Sequence, residues 1–102
     1  MPTTKQDIQK ALKNVLRTST VRGKIRKVSL FGSHLHGDAK DESDIDLLLE
    51  YVRPFSLFDL VGLELALSKK LGKKVDLRTQ NELSKYFRDE VVSEAEPLYE
   101  AG

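Results

Sequence analysis

No cysteine occurs among the 102 residues, so disulfides, thiolate metal sites and thiol nucleophiles are all excluded. That absence fits a cytoplasmic protein. No apolar run approaches the roughly 18 residues of a membrane-spanning helix. No basic start followed by an apolar stretch and a small-residue cleavage site is seen, so neither a membrane protein nor a secreted one is expected. The Gly-x4-Gly-Lys-Ser/Thr loop and the Gly-x-Gly-x-x-Gly turn are both missing, which removes the commonest phosphate-binding loops. There is no paired His-Glu helix motif, so hydrolytic zinc chemistry has no candidate. His34 and His36 alternate in a polar stretch. Nothing else completes a zinc site, and they read as exposed loop residues.

What is present is an ordinary globular mixture, 32% charged and 39% apolar. The length suits one compact domain over residues 1–102. The net charge of +1 hides an asymmetry. Residues 1–28 carry Lys5, Lys10, Lys13, Arg17, Arg22, Lys24, Arg26 and Lys27 against the single acid Asp7. Residues 37–50 carry Asp38, Asp41, Glu42, Asp44, Asp46 and Glu50 against Lys40. A basic flank beside an acidic centre suits a site that handles metal and phosphate together, although a run of lysines is also what any solvated helix face shows.

Thr4 and Asp7 have capping-box spacing, and Ile8, Leu12, Val15 and Leu16 follow at helical intervals, which predicts a helix ending near 18–20. Lys27 to Phe31 reads as a strand stopped by Gly32. Residues 33–43 are polar and irregular. Asp44 to Val52 reads as a second strand broken by Pro54. Ser56 and Asp59 repeat the capping-box spacing. Leu57, Leu60, Val61, Leu63, Leu67 and Leu71 then give a wide apolar face, expected to serve the core, with Gly72 as C-terminal cap. Lys74 to Arg78 is a short third strand. Asn81 can cap a third helix through Leu83, Phe87 and Val91, and Leu98-Tyr99, after Pro97, reads as an edge strand. The order α-β-loop-β-α-β-α-β predicts an α+β domain with a small mixed β-sheet flanked by helices.

The chemistry sits in Ser43-Asp44-Ile45-Asp46-Leu47. Strand side chains alternate, so Asp44 and Asp46 share a face while Ile45, Leu47 and Leu49 point to the core. Their Cα atoms lie about 6.6 Å apart at ordinary strand rise. Like charges at this spacing repel unless a cation sits with them, and carboxylate oxygens suit Mg²⁺ or Mn²⁺. Asp76 lies mid-strand in Lys-Val-Asp-Leu-Arg and joins the cluster if that strand pairs beside the first. Three carboxylates around metal ions suit in-line nucleotidyl or phosphoryl transfer. Gly32-Ser33 at a strand end allows close backbone approach to a phosphate, with the Ser33 hydroxyl as a donor.

Gly32-Ser33, Gly37-Asp38-Ala39 and Ser43-Asp44-Ile45-Asp46-Leu47, with Asp76 in Val75-Asp76-Leu77, closely resemble the signature of the minimal nucleotidyltransferase (MNT) domain. This is the small branch of the DNA polymerase beta-like nucleotidyltransferase superfamily. The resemblance covers nearly the whole chain. It implies that Gly32 and Ser33 bind the nucleoside triphosphate, that Asp44 and Asp46 bind Mg²⁺ (or Mn²⁺), and that Asp76 completes the triad and helps activate the acceptor. It also implies a HEPN-domain toxin as partner, with AMP passing from ATP to a tyrosine of that toxin. In such pairs the modification blocks the toxin's RNase activity. One departure is visible: the family often carries Arg four residues after the glycine, and this chain has His36, which is only partly charged near neutral pH.

Two other readings stand beside this one. An antitoxin that neutralises its partner by binding alone needs no catalysis, and a chain this short leaves little room for a separate acceptor-recognition domain. A nucleotidyltransferase subunit that modifies a small molecule usually carries extra helical domains. Direct nucleic-acid binding is the weakest reading, because the basic N-terminal helix has no aromatic-basic interleaving to support it.

Overall fold

The computed structural model describes residues 4–32, 44–79, 86 and 88–101. Ser33, His34, His36, Gly37, Asp38 and the acids at 41 and 42 lie outside the described residues, as do Asn81, Leu83 and Phe87 of the expected third helix start.

Helix α1 spans Lys5–Thr18. Its capping box forms as expected: the Asp7 N–H donates to Thr4 Oγ1 at 3.1 Å, and the Thr4 N–H donates to Asp7 Oδ2 at 3.0 Å. Each bond satisfies an amide that the helix itself leaves without a partner. The face carrying Ile8, Leu12 and Leu16 is buried. A short 3₁₀ turn at Arg22–Lys24 leads into β1, Ile25–Phe31, followed in order by β2, Ile45–Tyr51, helix α2, Leu57–Leu71, and β3, Val75–Arg78. Helix α3, Arg88–Glu94, and β4, Glu96–Glu100, complete the described chain.

The sheet runs β3-β2-β1-β4. β1 is antiparallel to both β2 and β4, while β2 and β3 are parallel, so the sheet is mixed. The parallel pair needs a crossover, and α2 supplies it. Ser56 caps α2 in the same reciprocal way as Thr4, with Asp59 as its partner. Gly72 ends the helix at φ +68°, a left-handed conformation that costs glycine nothing.

One cluster holds the core: Ile8, Leu12 and Leu16 of α1, Leu63 and Leu67 of α2, and the alternate strand residues Val28, Leu30, Ile45, Leu47, Leu49, Val75, Leu77 and Leu98. Both helices therefore cover one face of the sheet. Ion pairing between Lys5 and Glu96 and a bond from Gln9 Nε2 to the Leu98 carbonyl tie α1 to β4. Among the described residues no helix is long and apolar enough to cross a membrane.

Three details depart from expectation. β1 begins at Ile25, two residues before Lys27, because Ile25 pairs with Tyr51 across a register shift that throws Arg26 outward. Pro97 lies inside β4 opposite Ser29 rather than before it. β4 is an edge strand with an irregular register, where a residue without an N–H is tolerated. The apolar face of α2 does not all serve the core. Leu63 and Leu67 are buried, and Leu60 and Leu71 pack against them, but Leu57 and Leu65 are 74% and 64% exposed. Val61 and Phe58 lie on the same outward side, which a helix of 3.6 residues per turn rotates away from the sheet.

The capping box gives a pH prediction. Its backbone and hydroxyl bonds from Thr4 hold the Asp7 carboxyl below its ordinary 3.8. A carboxyl depressed in the folded state stabilises above its unfolded pKa and loses that contribution as pH falls through the folded one. Asp7→Asn is therefore expected to melt below the wild type at neutral pH. The two melting temperatures should converge as pH falls beneath the carboxylate range, which thermal melts followed by circular dichroism would show.

Candidate active site

Three strand ends meet at one end of the sheet. β1 finishes at Phe31-Gly32, β2 begins just after Asp44, and β3 begins just before Asp76. β1 runs antiparallel to β2, so its end lies beside the start of β2, with Phe31 opposite Asp46. β3 runs parallel to β2, so their starts lie together, and Asp46 and Asp76 are direct Cα partners. Both point away from the face that buries Ile45, Leu47, Val75 and Leu77.

The carboxylates are brought together by the core on the other side. Register is fixed where one face is buried, because a slip of one residue would turn every apolar side chain outward. Asp44, two residues before Asp46, is 44% exposed at its side chain, and Asp76 is 22% exposed.

Gly32 has φ +77°, and a Cβ there would lie 2.4 Å from Asp46 Oδ2. A side chain is thus excluded twice, by backbone conformation and by the neighbouring carboxylate. Ser33 lies outside the described residues.

Sequence reasoning gave no role to three residues. Lys74 places its ammonium 3.9 Å from Asp44 Oδ2 and 4.0 Å from Asp76 Oδ1. Its position two residues before Asp76, on the same strand face, was the available signal. Ser68 Oγ and Glu64 Oε2 of α2 accept the outward N–H groups of Val75 and Leu77, each at 2.9 Å. They pin β3, and with it Asp76, to the crossover helix. Serine and glutamate four residues apart on one helix face were visible, but their target was not.

Does this set fit a divalent cation? The donors are carboxylate oxygens, the type that Mg²⁺ and Mn²⁺ prefer. A cationic group, the Lys74 ammonium, already lies between two of them. Among the described residues no three such groups converge closely enough to grip an ion unaided. One or two carboxylates completed by substrate phosphates is the usual Mg²⁺ arrangement, so the residues fit a metal that arrives with its nucleotide. A cavity of about 560 Å³, lined by Arg26, Glu50 and Tyr51, lies at the far end of β1 and β2 and shares no residue with this group.

A mixed sheet with helices on one face and acidic strand starts on the other is the architecture of a nucleotidyl-transferring domain. Residues 9–102 match the model of the family described as polymerase beta, nucleotidyltransferase, and the chain belongs to that family of enzymes. A Methanocaldococcus jannaschii protein provisionally named a protein adenylyltransferase is 39% identical over 71 residues, covering 70% of this chain and 76% of that protein. The protein adenylyltransferase MntA of Thermococcus cleftensis is 34% identical over 70 residues, covering 69% and 71%. A solved structure provisionally described as a minimal nucleotidyltransferase superposes with a TM-score of 0.74 at 32% identity, over 90% of this chain and 93% of that one. The same fold occurs, at 21% identity and a TM-score of 0.68, in the structure of a tri-AMPylated Shewanella oneidensis HEPN toxin in complex with MNT antitoxin, over 96% of this chain and 74% of that one.

Gly32→Ala tests the packing at this strand end. The left-handed backbone alone should cost about 1–2 kcal/mol, and the added methyl must also displace the Asp46 carboxylate. Urea unfolding should register the first effect. Weakened Mn²⁺ binding, read by electron paramagnetic resonance, should register the second.

Proposed function

We propose that this chain transfers AMP from ATP to a hydroxyl group, a tyrosine, of a HEPN-domain partner, and so acts as the antitoxin of a toxin–antitoxin pair. The observation that carries the reading is the register of β2 and β3, which sets Asp76 beside Asp46 with Asp44 two residues away. Family membership and the adenylyltransferase names of the relatives support the reaction class. The partner class is drawn by analogy from the HEPN assembly of like fold.

In this reading residues 1–102 work as one domain. Asp44 and Asp46 hold Mg²⁺ (or Mn²⁺), with Asp76 as the third ligand. When bound, the metal neutralises the triphosphate and makes the acceptor hydroxyl easier to deprotonate. Gly32 lets the backbone close on the phosphates, and Ser33 donates to them. Asp76 accepts the proton from the acceptor hydroxyl as its oxygen attacks the α-phosphorus. The new phosphorus–oxygen bond forms in line with the breaking bond to the β-phosphate, and pyrophosphate leaves. Of the N-terminal basic residues, Lys5 pairs with Glu96, while Lys10, Lys13, Arg17, Arg22 and Lys24 on α1 and the turn after it, with Arg26 and Lys27 on β1, contribute a positive field.

The outward apolar side of α2 favours a second, compatible role. Leu57, Phe58, Val61 and Leu65 form an exposed patch on the layer away from the carboxylates. Such a patch marks a protein-binding surface, so neutralisation by complex formation can accompany catalysis.

Co-expression with the HEPN partner and incubation with α-labelled ATP separates the two. The wild type should label the partner in the presence of Mg²⁺ and fail to do so in EDTA. Asp44→Asn/Asp46→Asn should reduce labelling by at least about a hundredfold, since the metal contributes several kcal/mol to such transfers. Unchanged labelling in the double variant would overturn the catalytic reading. Neutralisation that survives the variant would assign that role to binding.

A further inference from the structure

Lys74 stands where the proposed metal chemistry would least obviously place a cation. Its main chain is fixed, because its carbonyl accepts the Ile45 N–H at 2.9 Å in the first rung between β2 and β3. From that anchor the side chain carries its ammonium to 3.9 Å from Asp44 Oδ2 and 4.0 Å from Asp76 Oδ1. One positive charge therefore faces two carboxylates, one just before the start of β2 and one on β3. At these distances the attraction is Coulombic rather than hydrogen-bonded. The side chain is 69% exposed, so packing does not hold the ammonium there.

We infer that Lys74 is a tethered counter-ion of the site: its ammonium balances Asp44 and Asp76 while no metal is held, and gives way when a divalent cation takes the same oxygens. The inference rests on the reading of these aspartates as metal ligands and adds a residue that competes with the metal. The physical grounds are simple. Like charges fixed on adjoining strands repel, and an opposite charge within reach lowers that cost. A lysine ammonium is a compact charge on a flexible stem, able to pair without coordinating and to withdraw without moving the backbone. A divalent ion offers the same oxygens more charge at shorter range, so the exchange favours it once it is present.

Lys73 supplies the control. It carries the same charge one residue earlier, and it makes no ion pair among the described residues. The probe is Mn²⁺ alone, without nucleotide, titrated into the full chain at low salt and followed by the electron paramagnetic resonance signal of free Mn²⁺. Circular dichroism checks that each variant is folded. Lys74→Met should tighten Mn²⁺ binding by about three- to tenfold, the range expected for a partly solvated pair with two carboxylates, and Lys73→Met by less than about twofold. Binding by Lys74→Met when the wild type binds too weakly to detect would support the inference equally. Equal shifts in the two variants, or none in Lys74→Met, would reduce Lys74 to general surface charge and overturn it while the metal site stands. Where none of the three proteins binds Mn²⁺ alone, the same comparison is made with a non-hydrolysable ATP analogue present and read by the same criteria; no Mn²⁺ binding by any of them in either condition would overturn the metal-site reading, and the counter-ion role with it.

Discussion

The parallel pairing of β2 with β3 is the constraint on which the rest depends. Ile45 opposite Val75 and Leu47 opposite Leu77 bury four aliphatic side chains on the helix-covered face. The same register leaves Asp46 opposite Asp76 on the other face. Carboxylates directly across a strand pair are unfavourable by themselves. They persist because separating them would mean unmaking the core. Apolar burial in one layer thus sets the electrostatic tension in the other.

That dependence explains which parts of the molecule could be read from the chain. The starts of α1 and α2 are legible because a capping box is local: Thr4 with Asp7 and Ser56 with Asp59 lie three residues apart and behave alike. Gly72 was legible for the same reason. The alternation in Ile45-Asp46-Leu47 separated an apolar from an acidic face without any knowledge of neighbours. The adjacency of Asp76 was only conditional, since it depends on which strand β3 joins. The crossover rule for strand–helix–strand units would have favoured β2, because α2 is too long for a hairpin and returns the chain in the same direction. The start of β1 is not legible where Arg26-Lys27 interrupts the apolar pattern, and Pro97 reads as a strand breaker although the irregular edge strand contains it. Lys74, Ser68 and Glu64 have no such local signature: Ser68 and Glu64 bond backbone amides of the strand that follows their helix, and Lys74 reaches Asp44 only because β3 pairs with β2.

The layering divides the surface by chemistry. The sheet face opposite the helices carries the acids, while the helix layer carries the exposed apolar side of α2. A helix apolar on both sides is unusual for an isolated domain, whose helices normally turn one polar side to water. The two surfaces therefore differ in chemistry, one acidic and the other apolar. A single large partner could reach both by wrapping around the β3 edge of the sheet.

That edge limits how such a partner can hold on. An open strand normally offers a row of amide hydrogens and carbonyls on which another chain can build. Here the amides of Val75 and Leu77 are already taken by Ser68 and Glu64. A visiting strand would find acceptors there but not the donors it needs to zip alongside. The sheet cannot readily be lengthened on this side, whether by a partner's strand or by a misfolded copy. Recognition at this border has to be written in side-chain shape and charge rather than in main-chain ladders. The same two residues that steady a carboxylate also decide the language in which a partner can address it.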